Sequence, residues 1–202
     1  MPRIRASTIE EHKVLNRREI LDAAAELFSI QGYSATSFAD IAGLVGIGRT
    51  TLYEYFVDKE DILVNLVEEN LPEVLDEIVG ALPEGLGSRQ RLGELVVRGL
   101  EFVSDETNVG AVLMREVPKL SAEAQERVEA AHNRLADEVT RVCAQGIASG
   151  EFRNFLPEEV GRIIYALIMA ESQELIRSDE PKQKVHDVAE TLLRFIFDGL
   201  LT

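Results

Sequence analysis

Apolar residues recur at three-to-four spacing along most of the chain, and no stretch alternates with a period of two, so an all-α fold of about nine helices is expected. Ile20, Leu21, Ala24, Leu27 and Phe28 form one stripe on a helix from about Lys13 to Ile30, which Gly32 stops. Phe38, Ile41, Ala42 and Val45 form a second, shorter stripe, capped by Thr36 or Ser37 and ended by Gly46, a residue able to take positive φ. Gly48 can cap a third helix from Arg49 to about Tyr55. Its Leu52 and the following Phe56 point inward, while Arg49, Thr50, Thr51, Tyr53 and Tyr55 stay outside. Asp58 caps a fourth helix, which Pro72 is expected to kink or break because proline lacks the N–H of the i→i−4 ladder.

Further stripes follow the loop Pro83-Glu84-Gly85-Leu86-Gly87. Leu92, Leu95, Val96, Leu100 and Val103 mark one helix, and Val109, Val112, Leu113 and Met114 a short one ended by Pro118. Val128, Ala131, Leu135, Val139, Val142 and Gly146 mark a long one capped by Ser121. The last two helices differ. From Val160 to Ala170 the only charge is Arg162, and Val185 to Leu200 carries a stripe too wide for one neighbour. A helix of this kind is buried on more than one side. Two such helices from each of two subunits would make a four-helix bundle, with Ile163, Ile164, Leu167, Val188, Leu192, Phe195 and Ile196 as interface candidates.

Two short helices joined by a glycine turn, the second carrying donors near its start, make a helix-turn-helix whose second helix can enter a major groove. Arg49 can reach guanine O6 and N7, and Thr50 a thymine methyl or a phosphate. Thr51, Tyr53 and Tyr55 have hydroxyls suited to phosphate oxygens, with Tyr55 expected to be the more exposed tyrosine. Thr36 or Ser37 can add a further phosphate contact.

The stretch from Thr36 to Lys59 closely resembles the DNA-binding segment of the TetR family of repressors. The resemblance rests on Thr36-Ser37, Asp40-Ile41-Ala42, Gly46-Ile47, Thr51-Leu52-Tyr53, Tyr55-Phe56 and Lys59, with a matching lead-in at Arg18 to Ala24, Leu27-Phe28 and Gly32-Tyr33. Gly48 stands where the family commonly has serine, Thr50 where glycine is common, and Ala39 where a polar residue is common. The resemblance therefore carries the fold but not the operator sequence, which positions 39, 49 and 50 help to read. It places Lys59 at a phosphate. It also implies dimerisation through the last two long helices and a small-molecule effector among the C-terminal helices, with Phe102, Met114, Arg115, His132, Phe152, Tyr165, Met169, Glu171 and Gln173 as candidate pocket residues. Glu171 falls on an apolar stripe, so it must face a ligand, be protonated, or pair with Arg115, Arg162 or Arg194. Residues 1–62 are expected to form the DNA-binding domain, and 63–202 the effector-binding and dimerisation domain. The rival reading is a DNA-binding dimer without an effector, controlled by a protein partner or by abundance.

Charge complicates the nucleic-acid reading before supporting it. The formal net charge is -15 over 202 residues. Residues 1–18, however, carry Arg3, Arg5, Lys13, Arg17 and Arg18 against Glu10 and Glu11, a local balance of +3. An acidic body with a basic end repels phosphate everywhere else and so orients the molecule on DNA. The basic end could add arm contacts or be a solvated tail. No apolar run is long enough to span a bilayer, and the single cysteine, Cys143, excludes an internal disulfide, so a cytoplasmic location is expected. His12, His132 and His186 lie on separate segments without metal-ligand spacing. No nucleophile elbow, phosphate loop or dinucleotide fingerprint occurs, so neither an enzyme nor a cofactor is expected.

Overall fold

The structure is a computed structural model, described here for residues 9–105 and 115–201, with the side chains of 9–12 excluded. The short helix expected around Val109 to Met114 falls outside these residues, as do Arg3, Arg5 and the side chain of His12. The described residues form eight α-helices: α1 (Ile9–Gln31), α2 (Phe38–Val45), α3 (Arg49–Leu52), α4 (Lys59–Gly80), α5 (Ser88–Ser104), α6 (Ala122–Ser149), α7 (Pro157–Arg177) and α8 (Pro181–Leu200). A 3₁₀ turn covers Val117–Lys119, and the one β-type pairing described is an isolated bridge between Phe152 and Leu201. The chain divides into two compact units, Met1–Leu66 and Val67–Thr202, with α4 running covalently from one into the other. Pro72 lies inside α4 without breaking it.

In the first unit Ile20, Leu21, Ala24 and Phe28 of α1, Phe38, Ile41 and Ala42 of α2, Leu52 of α3, Phe56, and Ile62, Leu63 and Leu66 of α4 are all buried, and α2 packs against both α1 and α3. Each large side chain removed from water contributes about 1.5–3 kcal/mol, so this small cluster is what holds the short α3 in place. The second unit is built on α5, α6, α7 and α8. Leu92, Leu95, Val96 and Leu100 of α5 meet Leu135, Val139, Val142 and Cys143 of α6, Ile164 and Ile168 of α7, and Leu192 and Ile196 of α8. Two glycines set the closest approaches. A Cβ on Gly161 of α7 would stand 2.7 Å from the Thr140 Cα of α6, and one on Gly146 would stand 2.9 Å from the Phe152 ring carbon Cγ. Cys143 is buried, and its thiol is pushed up to about 11 by desolvation, which keeps it protonated and unreactive.

Candidate nucleic-acid interface

The turn between α2 and α3 forms as its residues dictate. Ser37 is the N-cap of α2. Its hydroxyl accepts from the Asp40 N–H at 3.2 Å and donates to Asp40 Oδ2 at 2.7 Å, while its own N–H donates to the same oxygen at 2.8 Å. These bonds, the side-chain one foremost, hold the Asp40 carboxyl below its ordinary range. Gly46 ends α2 at φ 79°, where its N–H and that of Ile47 both reach the Ala42 carbonyl at 3.0 Å. Gly48 then opens α3 in an extended conformation.

The α-helical part of α3 is shorter than the spacing predicts. It ends at Leu52, and the chain continues as turns in which Glu54 N–H meets Thr51 O and Phe56 N–H meets Leu52 O, both at 3.1 Å. This change of path reverses the two tyrosines. Tyr53 is 50 % exposed, and Tyr55 is half-buried, its hydroxyl accepting from Asn16 Nδ2 of α1 at 3.1 Å. Tyr53 lies against Phe38, ring centroids 4.9 Å apart, and its hydroxyl accepts from Arg49 Nη2 at 3.1 Å. The Arg49 guanidinium carbon stands 5.7 Å from that ring's centroid. Arg49 and Thr50 are exposed and Thr51 is half-buried. The outward donors are therefore a tyrosine-steadied arginine and neighbouring hydroxyls.

The remaining candidates of this unit face differently. Thr36 is 2 % exposed, its hydroxyl donating to Gly32 O at 2.8 Å and accepting from Gln31 Nε2 at 3.2 Å, so it closes the α1–α2 turn instead of facing out. Ser37 is exposed, but the Asp40 carboxylate already occupies its donors. The Lys59 ammonium donates to the carbonyls of Tyr33 at 2.6 Å and Thr36 at 2.9 Å. Asn16, which fixes Tyr55, was not legible as a partner, because 39 residues separate the two.

The C-terminal candidates do not gather at one described site. Arg115 and Gln173 line a cleft of about 270 Å³ with Glu116, Pro118, Lys119, Ile176 and Arg177. Glu171, half-buried, lines another of about 460 Å³ with Leu167, Asp187, Val188, Thr191, Leu192 and Phe195; Arg162, one of its expected partners, pairs with Glu159. Phe152 is a core residue beneath Gly146. Phe102 and Met169 are half-buried, and Met114 lies outside the described residues. His132 and Tyr165 both feel Glu129. Desolvation lowers the His132 pKa, its Nδ1 standing 2.8 Å from Val128 O, and desolvation with the Glu129 charge raises the Tyr165 phenol to about 12.

The interface candidates divide between the surface and the core of α7 and α8. Ile163 and Phe195 are exposed, Leu167 and Val188 half-buried, and Ile164, Leu192 and Ile196 reach the core. Ile163, Ile164, Leu167, Phe195 and Ile196 line a mainly apolar groove of about 780 Å³ with Phe155, Leu156 and Val160, whereas Val188 and Leu192 line the cleft that holds Glu171.

Residues 20–66 match the family described as bacterial regulatory proteins, tetR family, and residues 85–172 match the tetracyclin repressor-like C-terminal domain. The HTH-type transcriptional repressor KstR2 of Rhodococcus jostii (strain RHA1) is 30 % identical over 191 residues, spanning 91 % of this chain and 90 % of that protein. The fatty acid metabolism regulator protein of Bacillus subtilis (strain 168) is 22 % identical over 183 residues, 90 % of this chain and 94 % of its own length. Two solved structures share the fold. FadR from Bacillus subtilis in complex with stearoyl-CoA superposes with a TM-score of 0.71 at 21 % identity, covering 87 % of this chain and 97 % of that one. A transcriptional regulator from Saccharomonospora viridis in complex with choline gives 0.74 at 24 % identity, covering 94 % and 99 %.

Proposed function

The chain belongs to the TetR family of DNA-binding bacterial transcriptional regulators, and from that premise we propose that it binds a pseudo-palindromic operator as a homodimer, reads it with α3, and leaves it when a small molecule binds among the C-terminal helices. The observation that carries this reading is the outward end of α3, where Tyr53 steadies Arg49 beside Thr50. Arg49 then reads a guanine edge; Thr50, Thr51 and Tyr53 set the register on phosphates. Residues 1–62 serve DNA, and 63–202 sense the effector and dimerise. One reader grips a half-site weakly. Two copies related by a two-fold axis place their readers about 34–36 Å apart, or a multiple of that, on one face of the duplex. Effector control is a population shift: the ligand prefers a conformer in which the readers are wrongly spaced, with a coupling typically about 1–3 kcal/mol.

Selection of bound duplexes from a randomised library tests the reading. A two-fold related pair of half-sites is expected, and recovery of unrelated sequences would overturn it. The selected complex is then challenged with metabolites. Stearoyl-CoA and choline come first, because two relatives of this fold are seen bound to them. Release by one compound class identifies the effector; a duplex that no metabolite releases would favour control by a partner or by abundance.

A further inference from the structure

Lys59 occupies a position where its charge is mildly unfavourable, since it opens α4 at the positive end of the helix dipole. Its side chain leaves that end and turns toward the α1–α2 connection. The ammonium donates to Tyr33 O at 2.6 Å and to Thr36 O at 2.9 Å, and sits 4.2 Å from the centroid of the Tyr33 ring. Thr36 is the residue before the α2 N-cap, and its own hydroxyl is tied back to Gly32 O. Tyr33 in turn packs edge-on against Phe28 of the α1 core, centroids 5.1 Å apart. One cation thus joins the start of α4 to the start of α2, and the segment between those two points is the helix-turn-helix itself.

We infer that Lys59 is a positioning residue: it sets the angle of the reading helix by clamping the α1–α2 turn onto the first turn of α4, and its effect on DNA binding comes through that clamp instead of through a phosphate. An ammonium suits the task because it is a compact donor that two converging carbonyls and a ring face can share. The inference rests on the DNA-binding reading above, and its test separates the two.

The probe is the duplex selected by the wild-type chain. Lys59→Met should weaken binding by about tenfold or more while leaving the slope of log K against log salt unchanged, because no counterion-releasing contact is lost. Tyr33→Leu keeps the lysine charge and the apolar bulk but removes the ring face, and should weaken the same duplex in the same way. The opposite pattern, a slope shallower by about 0.9 per subunit in Lys59→Met with Tyr33→Leu binding like wild type, would make Lys59 a phosphate contact and overturn the inference. The free chain gives an independent readout by NMR. The Lys59 Hε protons should be shifted upfield by the Tyr33 ring, and should lose that shift in Tyr33→Leu. Unshifted Hε protons in the wild-type chain would refute the clamp. If the wild-type chain selects no duplex, the DNA-binding reading fails while this shift still decides the clamp.

Discussion

At the scale of single residues, what the chain predicts best is what neighbours in sequence can enforce. Ser37 caps α2, Gly46 takes positive φ, and the Asp58 carboxylate accepts the Asp61 N–H at 2.8 Å, each as its residue type and place imply. Thr36 and Lys59 were less legible, because their partnerships run through the folded α1–α2 turn, up to 26 residues away for Lys59. Thr36→Val should cost about 1–2 kcal/mol of stability in chemical denaturation, since a buried hydroxyl bond is lost, and leave the salt dependence of DNA binding intact. A change in salt slope would return Thr36 to the DNA face. His132 carries a pH dependence. Its folded pKa is lowered from 6.5, so the folded state binds fewer protons than the unfolded chain below that pH. Stability is therefore complete above about pH 6.5 and falls as pH drops toward the lowered folded value. Denaturation midpoints of His132→Gln should be flatter between pH 7 and 5 than those of wild type; equal slopes would show that burial does not keep His132 neutral.

At the scale of elements, the helical periods located α1, α2 and α4 through α8, because a stripe facing a core repeats over several turns. The four-residue α3 offers too few repeats. Its early end at Leu52 is why Tyr53, and not Tyr55, faces outward. Phe152 read as a pocket aromatic, yet it fills the space that Gly146 leaves open, a relation visible only once α6 and the loop after it are folded. The α6–α7 crossing is equally close at Gly161. Gly161→Ala drives a methyl into Thr140 and should destabilise the second unit by about 1–3 kcal/mol, read as a lower denaturation midpoint. A neutral or stabilised variant would mean that these helices can separate without loss. A further cap comes from outside its helix: the Glu151 carboxylate accepts the N–H groups of Ser88 and Arg89, both at 3.2 Å, at the start of α5, where Gly87 has no side chain to offer.

At the scale of the whole molecule, the acidic charge and the doubly apolar last helices explain each other's place. In a chain of net charge -15 the proposed DNA face lies where acid is sparse, and the proposed second copy supplies the second reader that a lone half-site contact lacks. Phe195 of α8 at 68 % exposed, Ile163 of α7 at 49 % and Leu156 just before α7 at 72 % leave apolar surface that water disfavours. Ile163→Glu with Phe195→Glu should convert a dimer to a monomer in sedimentation and weaken operator binding. A dimer that survives both changes would place the interface elsewhere. The most direct test of the central claim is equilibrium binding of the selected duplex to wild type and Arg49→Ala across a range of salt. Wild type should bind with a steep negative salt slope, and Arg49→Ala should lose about 1–3 kcal/mol, with relaxed preference at one base pair of each half-site. Equal affinity and unchanged base preference in Arg49→Ala would show that α3 is not the reader.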